Sequence, residues 1–321
     1  MIRITAVASV LALWGTAAAA GPEIAGCPVF PDGNIWNTRV DALPLDPMSD
    51  DYVASIGADE PLHPDFGAGL HRGAPIGIPF VVVPFEQPKV PIAFTPFGTE
   101  EPIADESDAG DYPIPADAPV EGGADSLGDR HVIVVQEGSC TLHELYRAEP
   151  LGEGGWRVIS AAKFDLESNE LRIDGHTSAD AAGLPIFPGL VRYDEVAAGE
   201  IAHALRFTAP RTRQAYVWPA RHFASDDVDP ALPPLGQRFR LKADFDISGF
   251  SPANQVILTA LKTYGMILAD NGSSWFITGT PDDRWNDAEL DALGSLKGYD
   301  FEAVDSSGLQ LEPDSAAAKQ R

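Results

Sequence analysis

The chain has 321 residues and a formal net charge of −26 at pH 7, from 48 acidic and 22 basic residues. So acidic a protein repels phosphate backbones and anionic lipid, which argues against nucleic-acid and membrane partners. Its length fits one large domain or two closely packed halves.

Residues 1–20 are predicted to be a signal peptide. Arg3 supplies a short positive region, "ITAVASVLALW" is an apolar stretch too short to span a bilayer, and "TAAAAG" offers small residues for cleavage. The alternative is a lipoprotein box at "IAGC" with Cys27 lipidated, and Glu23 argues against it. We therefore expect a secreted or periplasmic protein.

Cys27 and Cys140 are the only cysteines. An oxidising compartment favours their pairing, so we predict a disulfide bond between them. Two buried free thiols are the alternative.

Residues 21–312 are predicted to form a single mainly β domain, an antiparallel β-sandwich or barrel-like unit. Residues 28–125 are rich in proline and glycine, which favours short edge strands wrapped around the regular ones. From residue 129 the alternation becomes regular, and Glu137-Gly138-Ser139 between "RHVIVVQ" and "CTLHELYRA" predicts a hairpin. Further strands are predicted in "GWRVISAAKFDL", "IAHALRFTA", "QAYVWPA" and "RFRLKADFDI".

Two helices are predicted near the C-terminus. "SPANQVILTALKTYG" has Ser251 as N-cap, Pro252 at the first helical position and Gly265 as the stop. "NDAELDALGSLKG" is the second helix, and "MILADNGSSWFITG" between them is predicted to be a hairpin over Asp270-Asn271-Gly272. Residues 313–321 are predicted to be a flexible tail.

Several familiar catalytic motifs are absent from the sequence. It has no G-x-S-x-G, no H-E-x-x-H, no phosphate-binding glycine loop and no C-x-x-C-H. These absences argue against an α/β-hydrolase, a zinc peptidase of that type, a P-loop enzyme and covalently attached haem.

Four residues are predicted to be catalytic. Glu144 and Tyr146 share one face of a strand about 7 Å apart, and His131 lies on the neighbouring strand. Glycosidases use two carboxyl groups, and polysaccharide lyases often use a tyrosine with a basic residue. His203 is the predicted proton carrier. Arg206, three residues later, cannot share its face in a regular strand, and we give it the lesser weight as partner of a substrate carboxylate or oxyanion.

A substrate-binding face is predicted around these residues. Aromatic rings beside arginine and histidine suit sugars, which stack on apolar faces and form hydrogen bonds at their edges. The alternative is that the aromatic residues belong to the core and the charges to its rim. The predicted binding residues are Arg206, Trp218, Tyr216, Arg221, His222, Asp180 and Glu195.

A structural calcium ion is considered at "DESDAGDYPIP", where Asp105, Asp108 and Asp111 are closely spaced. The loop lacks the EF-hand pattern and its distal glutamate, so a solvated acidic loop is the favoured interpretation. No other metal or cofactor is predicted.

Three stretches give the chain a resemblance: "CPVFPDGNIWNTRVD", "TSADAAGLPIFPGLVRYDEV" and "YGMILADNGSSW". They are similar to a largely uncharacterised family of secreted bacterial and fungal proteins. The resemblance covers nearly the whole mature chain and implies export and a single compact unit. It transfers no activity and no catalytic residue.

The predicted function is that of a secreted carbohydrate-active enzyme, a glycoside hydrolase or polysaccharide lyase acting on an extracellular polysaccharide. The alternative is a non-catalytic carbohydrate-binding or cell-surface protein that uses the same aromatic face. A secreted esterase or peptidase lacks a nucleophile motif. The expected partner is a polysaccharide or another small polar ligand, bound by a monomer.

Overall fold

A computed structural model describes residues 21–152 and 154–320. The predicted signal peptide lies outside these ranges. Within them, no helix is both long and apolar enough to cross a bilayer.

The described chain is mainly β, with short helices between its strands. The strands are β1 (Glu23–Ile24), β2 (Cys27–Pro28), β3 (His63–Asp65), β4 (Leu70–His71), β5 (Ala74–Pro75), β6 (Phe80–Val83), β7 (Ile92–Phe94), β8 (Val132–Gln136), β9 (Thr141–Tyr146), β10 (Glu149–Pro150), β11 (Trp156–Val158), β12 (Ser160–Asp165), β13 (Leu205–Ala209), β14 (Arg238–Leu241), β15 (Met266–Asn271), β16 (Phe276–Thr278) and β17 (Phe301–Val304). The helices are α1 (Ser49–Ile56), α2 (Tyr193–Ala198), α3 (Pro252–Thr263) and α4 (Asp287–Leu290).

The largest sheet has six strands in the order β17-β14-β15-β13-β16-β3. Strand β13 lies between β15 and β16, parallel to the first and antiparallel to the second. The predicted hairpin over Asp270-Asn271-Gly272 is therefore wrong, because its two strands pair with β13 and not with each other. The turn signal marked a reversal of the chain but could not specify the partner strand.

A second sheet has four strands in the order β12-β9-β8-β6. Its β8–β9 pair is the predicted hairpin, which is confirmed. One face, carrying Ile133 and Val135, belongs to the main core, and the other, carrying Val132 and Val134, belongs to a smaller core with Trp156. Because both faces are covered, β8 is buried throughout.

The stretch 156–165, predicted as one strand, is divided at Ile159 into β11 and β12, which belong to different sheets. Strand β11 pairs with β10 and β7 in a three-stranded sheet. This sheet contributes Trp156 and Val158 to the smaller core, so the sheets are layered in a sandwich-like arrangement. No closed barrel occurs in the described ranges.

The proline-rich segment contributes β3, β6 and β7, each at the edge of a sheet. Proline has no N–H to donate, so edge positions are those that tolerate it. All three strands pair in parallel with their neighbours, as β13 does with β15. The sheets are therefore mixed, with parallel pairs at these positions beside the antiparallel pairs that the sequence predicts.

Helix α3 begins and ends where the sequence predicts. Ser251 caps its N-terminus by accepting a hydrogen bond from Asn254 N, and Tyr264 is its C-cap, directly before Gly265. The second predicted helix is only α4, followed by a 3-10 turn over Asp291–Ser295. Helices α1 and α2 were not expected. The predicted strand at "QAYVWPA" is reduced to a single bridge between Tyr216 and Leu235.

The C-terminal residues, predicted to be a flexible tail, pack against the body of the protein over 313–320. Ala316 and Ala318 are buried. The carbonyl of Ala316 accepts from Ile35 N, and that of Ser315 accepts from Trp218 Nε1 at 2.8 Å. The small side chains of these alanines permit the close approach. The polar composition of the C-terminal segment did not indicate it.

The disulfide bond between Cys27 and Cys140 is confirmed. It joins β2 to the turn before β9 across 113 residues of sequence.

We predict that the Cys27→Ser/Cys140→Ser variant unfolds at lower urea concentration, with a free energy of unfolding lower by about 2–5 kcal/mol. The reason is that the bridge restricts the unfolded chain. Reductant should produce a similar loss in the native protein and none in the variant. Equal stability of the two oxidised proteins would contradict a stabilising role for the bond.

Candidate functional site

A buried ion pair between Arg206 and Asp180 lies at the centre of the candidate site. Arg206 donates from Nε to Asp180 Oδ2 at 2.6 Å and from Nη2 to Asp180 Oδ1 at 2.8 Å. Its Nη1 donates to Thr278 Oγ1 at 2.7 Å. Both charged side chains are almost completely buried. The pair therefore joins the loop before α2 to strands β13 and β16.

Asp270 lies beside this pair because β15 is irregular. The register between β13 and β15 shifts after Phe207, so Thr208 faces Asp270 and not Ala269. One extra residue moves all later side chains to the other face of a strand. Asp270 consequently shares the face of Arg206, with Oδ2 3.6 Å from Arg206 Nη2.

The environment of Asp270 favours its neutral form. Burial raises the pKa of Asp270, the negative charges of Asp180 and Asp129 add to that effect, and Arg206 opposes it, which leaves the pKa at about 7. Its side chain still keeps 27% of its surface exposed. Asp270 is thus a partly exposed carboxylic acid whose pKa lies above that of an ordinary aspartate.

His131 and Glu121 form a second charged pair in the site. His131 Nδ1 lies 2.6 Å from Glu121 Oε2, and Nε2 lies 3.1 Å from the carbonyl oxygen of Ala179. Both ring nitrogens face acceptors, so the ring holds both protons. Burial alone would lower the pKa of His131, but the charge and hydrogen bond of Glu121 raise it to about 9. In return, His131 outweighs the effect of burial and lowers the pKa of Glu121.

Two cavities meet at these residues, and we call them together the Asp270 cleft. The Phe276 cavity, of about 230 Å³, is lined by Asp65, Ile78, Glu121, Asp129, His131, Arg206, Thr208, Asp270, Asn271, Gly272, Ser273, Phe276 and Thr278. The His222 cavity, of about 280 Å³, is lined by Ile103, Asp129, Tyr146, Ser160, Thr177, Ser178, Ala179, Asp180, Ala181, His222, Ala224, Asp270 and Asn271. Asp129, Asp270 and Asn271 line both.

The cleft brings together five of the residues predicted from the sequence: His131, Arg206, Tyr146, Asp180 and His222. Tyr146 donates its hydroxyl proton to Glu100 at 3.2 Å, and its ring lies against His131. Arg206 lines the cleft, whereas His203, which the sequence favours over Arg206, does not. His203 and Arg206 do lie on opposite sides, but side-chain alternation does not indicate which side of a strand is open to solvent.

Glu144 does not line the cleft. It is completely buried, and its carboxylate accepts from the backbone amides of Ile186 at 2.9 Å and Phe187 at 2.8 Å. These bonds fix the segment that follows Asp180. Glu144 therefore supports the site from behind and has no path to a substrate.

The remaining predicted residues lie elsewhere. His203 is buried between the carbonyl of Ala204 and Glu195, which also pairs with Arg192. Trp218 bonds to Ser315 and Arg221 pairs with Asp314, so both hold the C-terminal segment. Tyr216 donates to Asp174 at 2.9 Å, and Phe223 lies between its ring and His222 of the cleft.

The proposed calcium loop is engaged in protein contacts. Asp108 Oδ2 accepts from Arg172 Nη1 at 2.6 Å and from the amide of Lys163 at 2.8 Å, and Asp105 lies in a 3-10 turn. Within residues 21–152 and 154–320, no group of three or more His, Cys, Asp or Glu side chains is arranged to hold a metal ion. Calcium at Asp105, Asp108 and Asp111 stays a prediction.

Sequence reasoning missed four carboxyl groups of the cleft: Asp65, Glu121, Asp129 and Asp270. A weak signal existed for two of them. Asp129 lies two residues before His131, and Asp270 lies near the end of the apolar strand "MILADN", where a charged side chain is unusual. Asp65 and Glu121 come from the proline-rich segment, whose loops carry many similar acids.

Comparison with known proteins adds no relative. No family model matches the sequence, and no curated protein or solved structure is significantly similar to it. The resemblance to a family of secreted bacterial and fungal proteins therefore stays a prediction.

We predict that Glu144→Ala lowers the free energy of unfolding by about 3 kcal/mol, because it leaves two buried amides without acceptors. Glu144→Gln should lose less, since its amide oxygen can still accept. Chemical denaturation measures both, with the exposed Glu167→Ala as the matched control, expected within about 0.5 kcal/mol of the native protein. An unchanged Glu144→Ala would contradict the anchoring role.

The pH dependence of the free energy of unfolding should also reflect the raised pKa of Glu144. Burial raises the pKa of Glu144 from its ordinary value of 4.5 to about 7, although the hydrogen bonds from two backbone amides oppose this rise. The unfolded chain then loses this proton before the folded one. The contribution of Glu144 is complete below pH 4.5 and is lost as the pH rises to 7.

Glu144→Gln should therefore gain stability relative to the native protein as the pH is raised through that window. Buried His143 acts in the opposite direction, since burial lowers its pKa to about 3, so the difference between the two proteins is the informative quantity. Urea denaturation at a series of pH values measures it. A difference that does not change with pH would contradict the raised pKa of Glu144.

Proposed function

We propose that the protein is a secreted glycoside hydrolase in which Asp270 donates a proton to the glycosidic oxygen. The observation that carries this proposal is the raised pKa of Asp270, about 7, at a place where two cavities meet. Hydrolysis of a glycosidic bond needs a carboxyl that is still protonated at working pH and a second that is ionised. Asp270 meets the first requirement.

Asp129 is assigned the second role, that of base or nucleophile. It lines both cavities together with Asp270, and its negative charge contributes to the raised pKa of Asp270. Its side chain is exposed, and no side-chain hydrogen bond or ion pair engages it in the part of the chain that the structure describes. A carboxylate that is not committed to a protein partner can activate water or attack carbon.

The two charged pairs have supporting roles in this proposal. Glu121 is kept ionised by His131, and the two line the Phe276 cavity as a charge-neutral pair that fixes the position of the His131 ring. Arg206 holds its Nη2 toward Asp270 while Asp180 and Thr278 keep the guanidinium in place. Arg206 is thus a positioning residue.

Hydrolysis is favoured over the lyase alternative. A lyase that uses tyrosine as its base needs the phenolate form of that residue. It also needs a nearby cation to neutralise the carboxylate of the substrate. Burial raises the pKa of Tyr146 well above its usual range, and Glu100 accepts its proton in a hydrogen bond. The cations of the cleft are already paired, Arg206 with Asp180 and His131 with Glu121. Export is supported by the disulfide bond, which is typical of oxidising compartments.

We predict that Asp270→Asn and Asp129→Asn each lower kcat by about 10²–10⁴-fold with folding preserved. For the native protein, kcat should fall as the pH rises through 7, where Asp270 loses its proton. The exposed Asp244→Asn is the matched control.

The measurement is release of reducing ends from a panel of plant, algal and microbial polysaccharides. Ultraviolet absorbance of an unsaturated uronate would instead indicate a lyase and contradict the proposal. Binding without either product would favour the non-catalytic carbohydrate-binding protein. Near-native turnover of folded Asp270→Asn would remove Asp270 as the proton donor.

A further inference from the structure

The Asp270 cleft continues on both sides of the proposed reacting groups. Asp129, Asp270 and Asn271 line the Phe276 cavity on one side and the His222 cavity on the other. A site that accepts only the end of a chain has its carboxyl groups at the bottom of a single cavity. Here they stand between two cavities, each large enough for about one or two sugar rings.

An aromatic surface accompanies each cavity. Phe276 lies in the first, with the exposed ring of His63 stacked on it at 4.0 Å between centroids. In the second, His222 is near-parallel to Phe223 at 5.7 Å, and Phe223 is near-parallel to Tyr216 at 6.3 Å. These rings are partly exposed, and such faces stack on the apolar faces of sugars.

The charges of the cleft select against anionic sugars. The guanidinium of Arg206 is satisfied by Asp180 and Thr278, and the ring of His131 by Glu121 and a carbonyl. Asp65 and Asp129 add negative charge to the cleft, and the whole chain carries −26. A uronate or sulfate group would enter against this field without a cation to pair with.

We propose that the cleft binds the interior of an uncharged polysaccharide, which crosses the two cavities with Phe276 at one end and His222, beside Phe223, at the other. This inference rests on the proposed function, since cleavage at Asp270 then falls within the chain. The products are oligosaccharides of several lengths. Polyuronates and sulfated glycans are excluded as substrates.

Binding is tested by gel retardation and calorimetry with Asp270→Asn, whose turnover is expected to be about 10²–10⁴-fold slower than that of the native protein. The probes are xylan, galactomannan, starch and a soluble β-1,3-glucan, with polygalacturonate and alginate as the anionic set. We expect binding to at least one neutral probe and to neither anionic one. Adding Phe276→Ala or Phe223→Ala should weaken that binding about three- to tenfold each, whereas the exposed Phe85→Ala should leave it unchanged.

The outcomes separate this inference from the proposed hydrolysis. Neutral-chain binding that depends on both rings, without cleavage by the native protein, would support the inference and overturn the hydrolase. Cleavage of small aryl glycosides with no loss in either ring variant would support the hydrolase and overturn the inference. Binding to polygalacturonate, binding to no neutral probe, or release of monosaccharide alone from a polymer would each overturn it.

Discussion

The bidentate ion pair between Arg206 and Asp180 is the interaction on which the site depends. Burying either charge alone costs several kcal/mol, and that cost is offset only when geometry and additional hydrogen bonds are good. Here the two parallel hydrogen bonds and the contact with Thr278 meet that condition. The pair fixes the loop of Asp180 against two strands of the large sheet. It also sets the field at Asp270, where the charge of Asp180 outweighs that of Arg206 in its effect on the pKa.

The layer behind the cleft explains why this loop is held so firmly. Glu144 projects from the four-stranded sheet, whose faces are both covered, and accepts from the amides of Ile186 and Phe187. A carboxylate in so apolar a place is unfavourable, and the raised pKa of Glu144 reflects that. The burial of two acidic groups, Glu144 and Asp270, within one small region thus lowers the stability of the fold. Buried acidic groups close to one another are typical of functional sites, where side chains are often placed for chemistry at some cost in stability.

A residue of the site could be predicted from the sequence only where its own neighbours in the chain make it stand out. Arg206 and His131 were found because charged residues in apolar strands are conspicuous. Asp270 was interpreted as turn chemistry, since "ADNG" is a common turn sequence and the irregular register of β15 has no signature of its own. Glu144 was selected for the same conspicuous position as His131, yet its partners are backbone amides far along the chain. Alternation shows that two residues share a face, but it does not show what covers that face.

The sequence by itself determined the local features of this protein: the β8–β9 hairpin, the capped helix α3, the edge strands of the proline-rich segment and the pairing of Cys27 with Cys140. Each follows from propensities or chemistry within a few residues, or from there being only one possible partner. The tertiary structure decided the rest. It placed β13 between β15 and β16, and it brought carboxyl groups from three distant segments, at Asp65, at Glu121 and Asp129, and at Asp270, around Arg206. Strand order and charge clustering arise from long-range packing, where many partners compete and no short pattern records which one wins.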